Sequence, residues 1–359
     1  MDVSSYTANR IAQVDIARLS TVCNGYSELC PRQFSDVSFL TTHNSYASQS
    51  GLIASNQDYP VTKQLDDGIR AFMFDLHTAS TTLNVSSLIG NSKRQNSPAQ
   101  IELCHTSCYL LDAGSFVDQL VNIKTFINAQ PKNVITIFLE NFDRFSSADI
   151  QSNFVAANLA DNLFNPNDYS HNGFKWPTLQ EMIDTKKNVV VFSDTISDQT
   201  TYPQIMLQST YVAQTSFEVK SGAPFTCSLM QSPTGLTLMN HFVYVDQNIL
   251  NSTFQVPDSS ASSTANALAS ITSQSKLCLN SNPPLFPNFV ALDFYNMGDG
   301  FEAVASINNV SLTNVGTNVF PNSTSQSTSK TSSSIKFSPV YTATFLSSFL
   351  LFLILFCNI

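Results

Sequence analysis

The chain has no run of basic residues and little charge of either sign. Asp, Glu, Lys and Arg make up 12% of its residues, and the net charge is −9. Nucleic-acid binding needs a basic patch or stripe, so that class of partner is excluded. The same deficit gives no general attraction to anionic lipid surfaces, so any lipid must be recognised locally. No CxxC pair recurs at zinc spacing, which argues against a structural zinc framework. No internal repeat is visible beyond an alternation of apolar runs with helical segments. What is plentiful is apolar surface: 43% of residues are hydrophobic, enough for a sizeable core in one large domain. With so few charges, Ser, Thr, Asn and Gln must cover the exterior.

Eight apolar runs stop at a polar or ionisable residue. Val37–Thr42 stops at His43-Asn44, Ile69–Phe74 at Asp75, Ile101–Cys104 at His105 and Val134–Leu139 at Glu140. Val189–Ser193 stops at Asp194, Tyr211–Phe217 at Glu218, Leu236–Asn240 at His241 and Phe289–Leu292 at Asp293. Most are short, β-branched or aromatic, and bounded by turn residues, as buried strands are. Helical patterns lie between them over Ser115–Asn128, Ser146–Phe164, Thr178–Ile183, Ala265–Leu277 and Gly300–Ile307. Strands alternating with helices give a parallel sheet, and eight such units give an α/β fold of the closed (β/α)8 TIM-barrel type. The expected layout is an arm over 1–36, a single barrel domain over 37–310, a Ser/Thr-rich spacer over 311–339 and an apolar tail over 340–359. Ser80–Gln100 is expected as a surface loop near the mouth. The C-terminal strand ends of such a barrel share one mouth, so the polar stops mark a site.

The end of the chain carries an address. A cluster of small residues around Ser327-Thr328-Ser329, a polar spacer and the apolar Val340–Ile359 match a glycosylphosphatidylinositol-anchor signal. The rival reading is a C-terminal transmembrane helix, disfavoured because no basic stop-transfer cluster follows it. An anchor of that kind implies secretion, yet Met1–Ser20 has no apolar core and carries Asp2, Arg10, Asp15 and Arg18. The expectation is therefore of a truncated or mis-started N-terminus that lacks its signal peptide. Glycosylation tripeptides at Asn84, Asn251, Asn309 and Asn322 fit an extracellular glycoprotein. So do six cysteines outside the tail, which fall into neighbour pairs Cys23 with Cys30, Cys104 with Cys108, and Cys227 with Cys278.

Two histidines facing each other across a mouth suit phosphodiester cleavage. One imidazole removes a proton from the attacking hydroxyl and the other protonates the leaving oxygen. The charged transition state needs neutralising, and Asn44, Asp75 and Glu140 are hard oxygen donors that could hold Ca²⁺ or Mg²⁺. No organic cofactor is expected.

Thr42-His43-Asn44-Ser45-Tyr46, Gln64-Leu65-Asp66-Asp67-Gly68-Ile69-Arg70, Leu103-Cys104-His105-Thr106, the Asn133–Glu140 segment, Trp176-Pro177-Thr178-Leu179 and Val290-Ala291-Leu292-Asp293 occur in that order. This ordered set resembles the X-domain phosphatidylinositol-specific phospholipase C-like phosphodiesterases. The arm Cys23–Cys30 resembles the secreted, anchored fungal branch. The resemblance implies that His43 is the general base acting on the inositol 2-hydroxyl and His105 the general acid on the leaving diacylglycerol oxygen. It makes Asp293 the carboxylate that orients the base, and Asn44, Asp75 and Glu140 three of the calcium-holding positions. The chain departs from the pattern at Met73, where a fourth ligand, a carboxylate, is expected. The metal-free bacterial branch instead has an arginine at the position of Asp75.

Plainer roles stand beside these. His43 could cap a turn, His105 could be a constrained loop residue, and Asp75 or Glu140 could pair with Arg70, Lys63 or Arg144. Asp194, Glu218 and His241 are weak substrate-contact candidates or hydrogen-bonding residues of the mouth, and His77 is an extra ligand or a surface residue. The leading expectation is a monomeric cell-surface phosphodiesterase acting on a phospholipid or glycolipid, anchored to the outer leaflet. Its rivals are a non-catalytic lipid- or glycan-binding barrel and a sphingolipid or lysolipid phosphodiesterase.

Overall fold

A computed structural model gives the structure of the chain and describes residues 22–79, 100–105, 108–170, 173–232, 234–249 and 252–312. The anchor signal, the spacer beyond residue 312, the start of the arm, most of the loop over 80–100 and the tripeptides at Asn84, Asn251 and Asn322 lie outside the described residues.

The strands are β1 (Phe39–Thr42), β2 (Ala71–Thr78), β3 (Ile101–Cys104), β4 (Asp112–Ser115), β5 (Ile135–Glu140) and β6 (Val189–Ser193). They continue with β7 (Ile205–Leu207), β8 (Val212–Gln214), β9 (Leu236–Asn240), β10 (Tyr244–Ile249), β11 (Ser252–Pro257) and β12 (Pro287–Leu292). The main sheet runs β7-β6-β5-β2-β1-β12-β9-β8, parallel throughout. Its end strands β7 and β8 are consecutive and joined by one helical turn, Gln208–Tyr211. Among the described residues no backbone ladder links them, so the α/β sheet is an incompletely closed barrel.

Two strand expectations are corrected. Ile101–Cys104 is not a barrel strand: it pairs antiparallel with β2 and with β4, forming a flap that continues β2 beyond the sheet. The eighth parallel strand is instead β7, three residues after Pro203 that are too few to show a period. The other seven runs are parallel strands.

Helices α1 (Val61–Asp67), α2 (Phe116–Ala129), α3 (Ser147–Ala156), α4 (Leu179–Asp184), α5 (Gln208–Tyr211), α6 (Ser259–Ala265), α7 (Leu268–Leu279) and α8 (Gly300–Ile307) complete the described fold. Capping boxes open α3 (Ser146 with Asp149) and α4 (Thr178 with Glu181). Helix α3 stops short of the expected Phe164 because the chain leaves it through Asn158 at φ 54°. The pattern over Ala265–Leu277 divides into α6 and α7 at Asn266, whose side-chain amide donates to the carbonyls of Asp293 and Phe294. Gly298, at φ +87°, passes so close to Asn266 that a Cβ there would lie 2.7 Å from its carbonyl oxygen.

The strand period of two sorts the core into two layers. Leu40, Phe72, Phe74, Ile135, Ile137, Leu139, Val191, Val290 and Leu292 face the helices. Phe39, Ala71, Phe138, Val190, Phe192, Leu236, Leu238, Phe289 and Ala291 fill the interior. Aromatic rings pack against one another within it, with Phe34 4.8 Å from Trp176 and Phe138 4.9 Å from Phe289. All three disulfides join the expected neighbour pairs: Cys23–Cys30, Cys104–Cys108 and Cys227–Cys278.

Candidate active site

The inward parity of each strand continues past its last apolar residue and decides which polar stops meet. Phe39 and Thr41 lead to His43, Ala71 and Met73 to Asp75, and Phe138 to Glu140. Val190 and Phe192 lead to Asp194, and Phe289 and Ala291 to Asp293. A cavity of about 310 Å³ collects His43, Asn44, Asp75, His105, Glu140 and Asp194, with Met73, Phe138, Phe142, Phe217, Phe242 and Tyr244 in its wall.

His43 is buried and held on several sides. Its Nδ1–H donates to Asp293 Oδ1 at 2.9 Å, which leaves Nε2 to meet a reactant. Asn56 Nδ2 donates to the same Asp293 oxygen at 3.0 Å, while the buried Asp293 Oδ2 has no hydrogen-bond partner among the described residues. The imidazole lies flat on Phe242, with centroids 3.9 Å apart and planes 2° apart. Gln57 Nε2 ties the His43 carbonyl to that of Leu292. Burial alone would lower the His43 pKa, but the charge and hydrogen bond of Asp293, with Asp75 and Glu140 behind them, raise it.

His105 reaches the same cavity from the flap. Its Nδ1–H donates to the Ala54 carbonyl at 2.6 Å, again leaving Nε2 for a ligand. Burial lowers its pKa first of all; the Ala54 bond opposes this, and the charge of His43 adds to it.

Asp75 and Glu140 sit opposite each other in the β2–β5 register. Burial, then the charge of Glu140, pushes Asp75 up to about 7, despite the Tyr46 hydroxyl 2.7 Å from its Oδ2. Burial and Asp194 raise Glu140. Among the described residues no ion pair reaches either: Lys63 pairs with Asp67, and Arg70 donates to Asn133 Oδ1 and to the Leu65 and Ile69 carbonyls. No group of three His, Cys, Asp or Glu among the described residues stands ready to enclose a metal ion. The donors nonetheless suit a hard divalent cation in kind: the buried Asp75 carboxylate, the exposed Glu140 carboxylate and the Asn44 amide line one cavity, and no ion pair among the described residues offsets either charge.

Three of the weaker candidates fare differently. Asp194 lines the cavity, its Oδ1 accepting from the Asn141 backbone N–H at 2.9 Å. Glu218 is exposed and outside the lining. His241 is corrected: Leu236, Leu238 and Asn240 face inward, so the next residue faces out, one step of parity away from the mouth. Its ring is fully buried, stacked on Phe225 and hydrogen-bonded to Gln274, the Ala265 carbonyl and Ser270. His77 is buried against Phe142 and does not line the cavity. Sequence reading missed Tyr46, Asn56, Gln57, Phe242 and Tyr244. The signal available for two of them was the polar Ser55-Asn56-Gln57 cluster shortly after His43, whose neighbour Ala54 serves the other histidine.

Comparison with known proteins gives concordant matches. The family model described as PI-PLC X 1 matches residues 29–308. A PI-PLC X domain-containing protein 1 from Arthroderma benhamiae is 32% identical over 313 residues, covering 84% of this chain and 95% of that protein. An uncharacterized secreted protein from the same organism is 30% identical and covers 80% of this chain, the match spanning 64% of that relative's length. Among solved structures, the phosphatidylinositol-specific phospholipase C from Listeria monocytogenes aligns with a TM-score of 0.46 at 15% identity, over 78% of this chain and 94% of that one. A mutant of the Staphylococcus aureus enzyme of that name aligns at 0.49 and 14% identity, over 82% and 96%. These structural likenesses are distant, and assignment to a family rests on the sequence matches.

Proposed function

We propose, for a chain that belongs to the PI-PLC X domain family, a phosphodiesterase of the phospholipase C type that works by paired histidines. The observation that carries this reading is one cavity lined by His43, with Asp293 behind it, and by His105. His43 Nε2 accepts the proton of a substrate hydroxyl as that oxygen attacks phosphorus. His105 Nε2 delivers a proton to the leaving oxygen, so the P–O bond breaks to give an alcohol and a cyclic phosphate. Asp293 keeps the His43 proton on Nδ1 and favours the imidazolium that forms. The negative charge of a bound phosphodiester likewise favours protonated His105 against its burial. A divalent cation held by Asn44, Asp75 and Glu140 would supply positive charge to the phosphate oxygens and cancel part of the field that raises His43.

The substrate class that fits is a phosphodiester lipid with a hydroxyl next to the phosphate, phosphatidylinositol being the first to try. The location we propose is extracellular: three disulfides suit an oxidising compartment, and one relative is named as secreted. Among the described residues no helix is long and apolar enough to cross a membrane. Attachment through the C-terminal signal is part of the proposal.

The test is a panel of phosphodiester lipids, inositol, choline and ethanolamine head groups included, with products identified in calcium and in chelator. Cyclic inositol phosphate is the expected product. A choline-containing substrate turned over in its place moves the reading to the sphingolipid or lysolipid class. A well-folded protein that cleaves nothing overturns it in favour of a binding barrel, the role that Met73 in the missing-carboxylate position favours.

A further inference from the structure

We propose that the Cys104–Cys108 disulfide is the positioning element for His105, so that the bond serves the proton donor rather than the fold. This inference rests on the histidine roles assigned above. His43 leaves a parallel strand with hydrogen-bonded neighbours on both sides, whereas His105 leaves β3, an antiparallel flap whose register with β4 slips between Glu102 and Cys104. Among the described residues that follow His105, Tyr109 is 85% exposed and Leu110 57% exposed, so neither side chain anchors the chain there. Among the described residues two hydrogen bonds hold His105 itself: its backbone N–H to the Leu111 carbonyl at 3.1 Å, and its ring to the Ala54 carbonyl.

The disulfide supplies what the flap lacks. Cys104 is fully buried, and its carbonyl lies 3.1 Å from the Tyr46 hydroxyl. The bond fastens Cys108, on the far side of the histidine, to that fixed point across a separation of four residues. So short a loop loses little chain entropy on closure, whereas Cys227–Cys278 spans a separation of 51 and constrains the unfolded chain far more. The bond that adds least to global stability is thus the one that encloses the candidate acid.

A leaving-group comparison tests this. A general acid matters where the departing oxygen is a poor leaving group and hardly at all where it leaves as a stable nitrophenolate. The protein with Cys104→Ser and Cys108→Ser is assayed on phosphatidylinositol and on a nitrophenyl ester of inositol phosphate, beside His105→Ala and the Cys227→Ser, Cys278→Ser pair. We expect the first double variant to lose about 30-fold or more on the lipid and less than about threefold on the nitrophenyl ester, in the pattern of His105→Ala. The Cys227, Cys278 variant should lower the melting temperature with no such discrimination. Equal losses on both substrates, no loss on the lipid, or failure of the first double variant to fold each overturn the proposal. A wild-type protein inactive on both substrates removes the phosphodiesterase reading itself, and this inference with it.

Discussion

His43 and His105 line one cavity, yet they are held in opposite ways. His43 directly follows β1 of the parallel sheet, seated on Phe242 and bonded to a carboxylate that Asn56 also holds. His105 hangs from a flap, bonded to one carbonyl of the Ala54–Gln57 segment that steadies the other histidine. Their electrostatics differ as well. The carboxylates raise the His43 pKa and burial lowers that of His105, so the protein alone shifts the two imidazoles in opposite directions, each against the role proposed for it. In the proposed scheme a bound phosphate would favour protonated His105, and a cation at Asp75 and Glu140 would offset the field that raises His43. That scheme makes ligand binding, and not the protein alone, the step that sets the two charge states.

The largest expected effects come from removing either arm. His43→Ala and His105→Ala should each lower turnover of a lipid substrate by about 10²–10⁴-fold with the fold unchanged. Asp293→Asn separates the arms more sharply. It removes the charge that favours imidazolium, so the His43 titration followed by NMR should move to lower pH while turnover falls. A His43 titration that stays in place would show that Asp293 is structural only.

An intermediate effect concerns the cation. Asp75 is pushed up to about 7 by burial, so its contribution to stability is whole below the ordinary carboxylate range and is lost as pH rises through that value. Binding of a cation to the ionised pair should therefore restore more at pH 8 than at pH 5. At a calcium concentration near 100 times its dissociation constant, the melting temperature should rise by roughly 5–10 °C at pH 8. The rise should be far smaller at pH 5, and Asp75→Asn should abolish it. Absence of a shift at pH 8 would leave the pair as a proton-sharing site and remove the metal from the scheme.

Much of this contrast was legible in the sequence, and its limits have physical causes. The stops at His43, Asp75, Glu140, Asp194 and Asp293 follow from apolar strands whose inner face continues into the mouth. His241 stands at an identical stop, but side chains alternate, and Asn240 holds the inward position that the run's length alone does not reveal. The flap was read as a barrel strand because an apolar run carries no mark of direction: Ile101–Cys104 looks the same whether it pairs parallel or antiparallel. Strand β7 went unseen because three residues after a proline show no pattern. Asn56, Gln57 and Phe242 were missed because their roles come from long-range contacts with His43 and Asp293 that no local spacing encodes.

The smallest expected effect tests what the ring of Phe242 adds to the better-held arm. Phe242 is buried, lies flat against His43, and meets Tyr244 edge-on at 5.7 Å. The Asp293 bond fixes one atom of the imidazole, but only a flat neighbour resists rotation about that bond and keeps Nε2 aimed at the reactant. Aromatic pairs contribute about 0.5–1.5 kcal/mol beyond their burial, so Phe242→Leu should lower kcat by about 3–10-fold and leave KM nearly unchanged. Loss of packing alone would also weaken the fold, so Phe138→Leu is the control. Phe138 lines the same cavity but stacks on Phe192 and meets Phe289 edge-on. Both variants should melt earlier, and Phe242→Leu should be the slower enzyme. Equal slowing in the two would mean that the dyad alone orients His43, and the two arms would then differ less in how they are held than their surroundings imply.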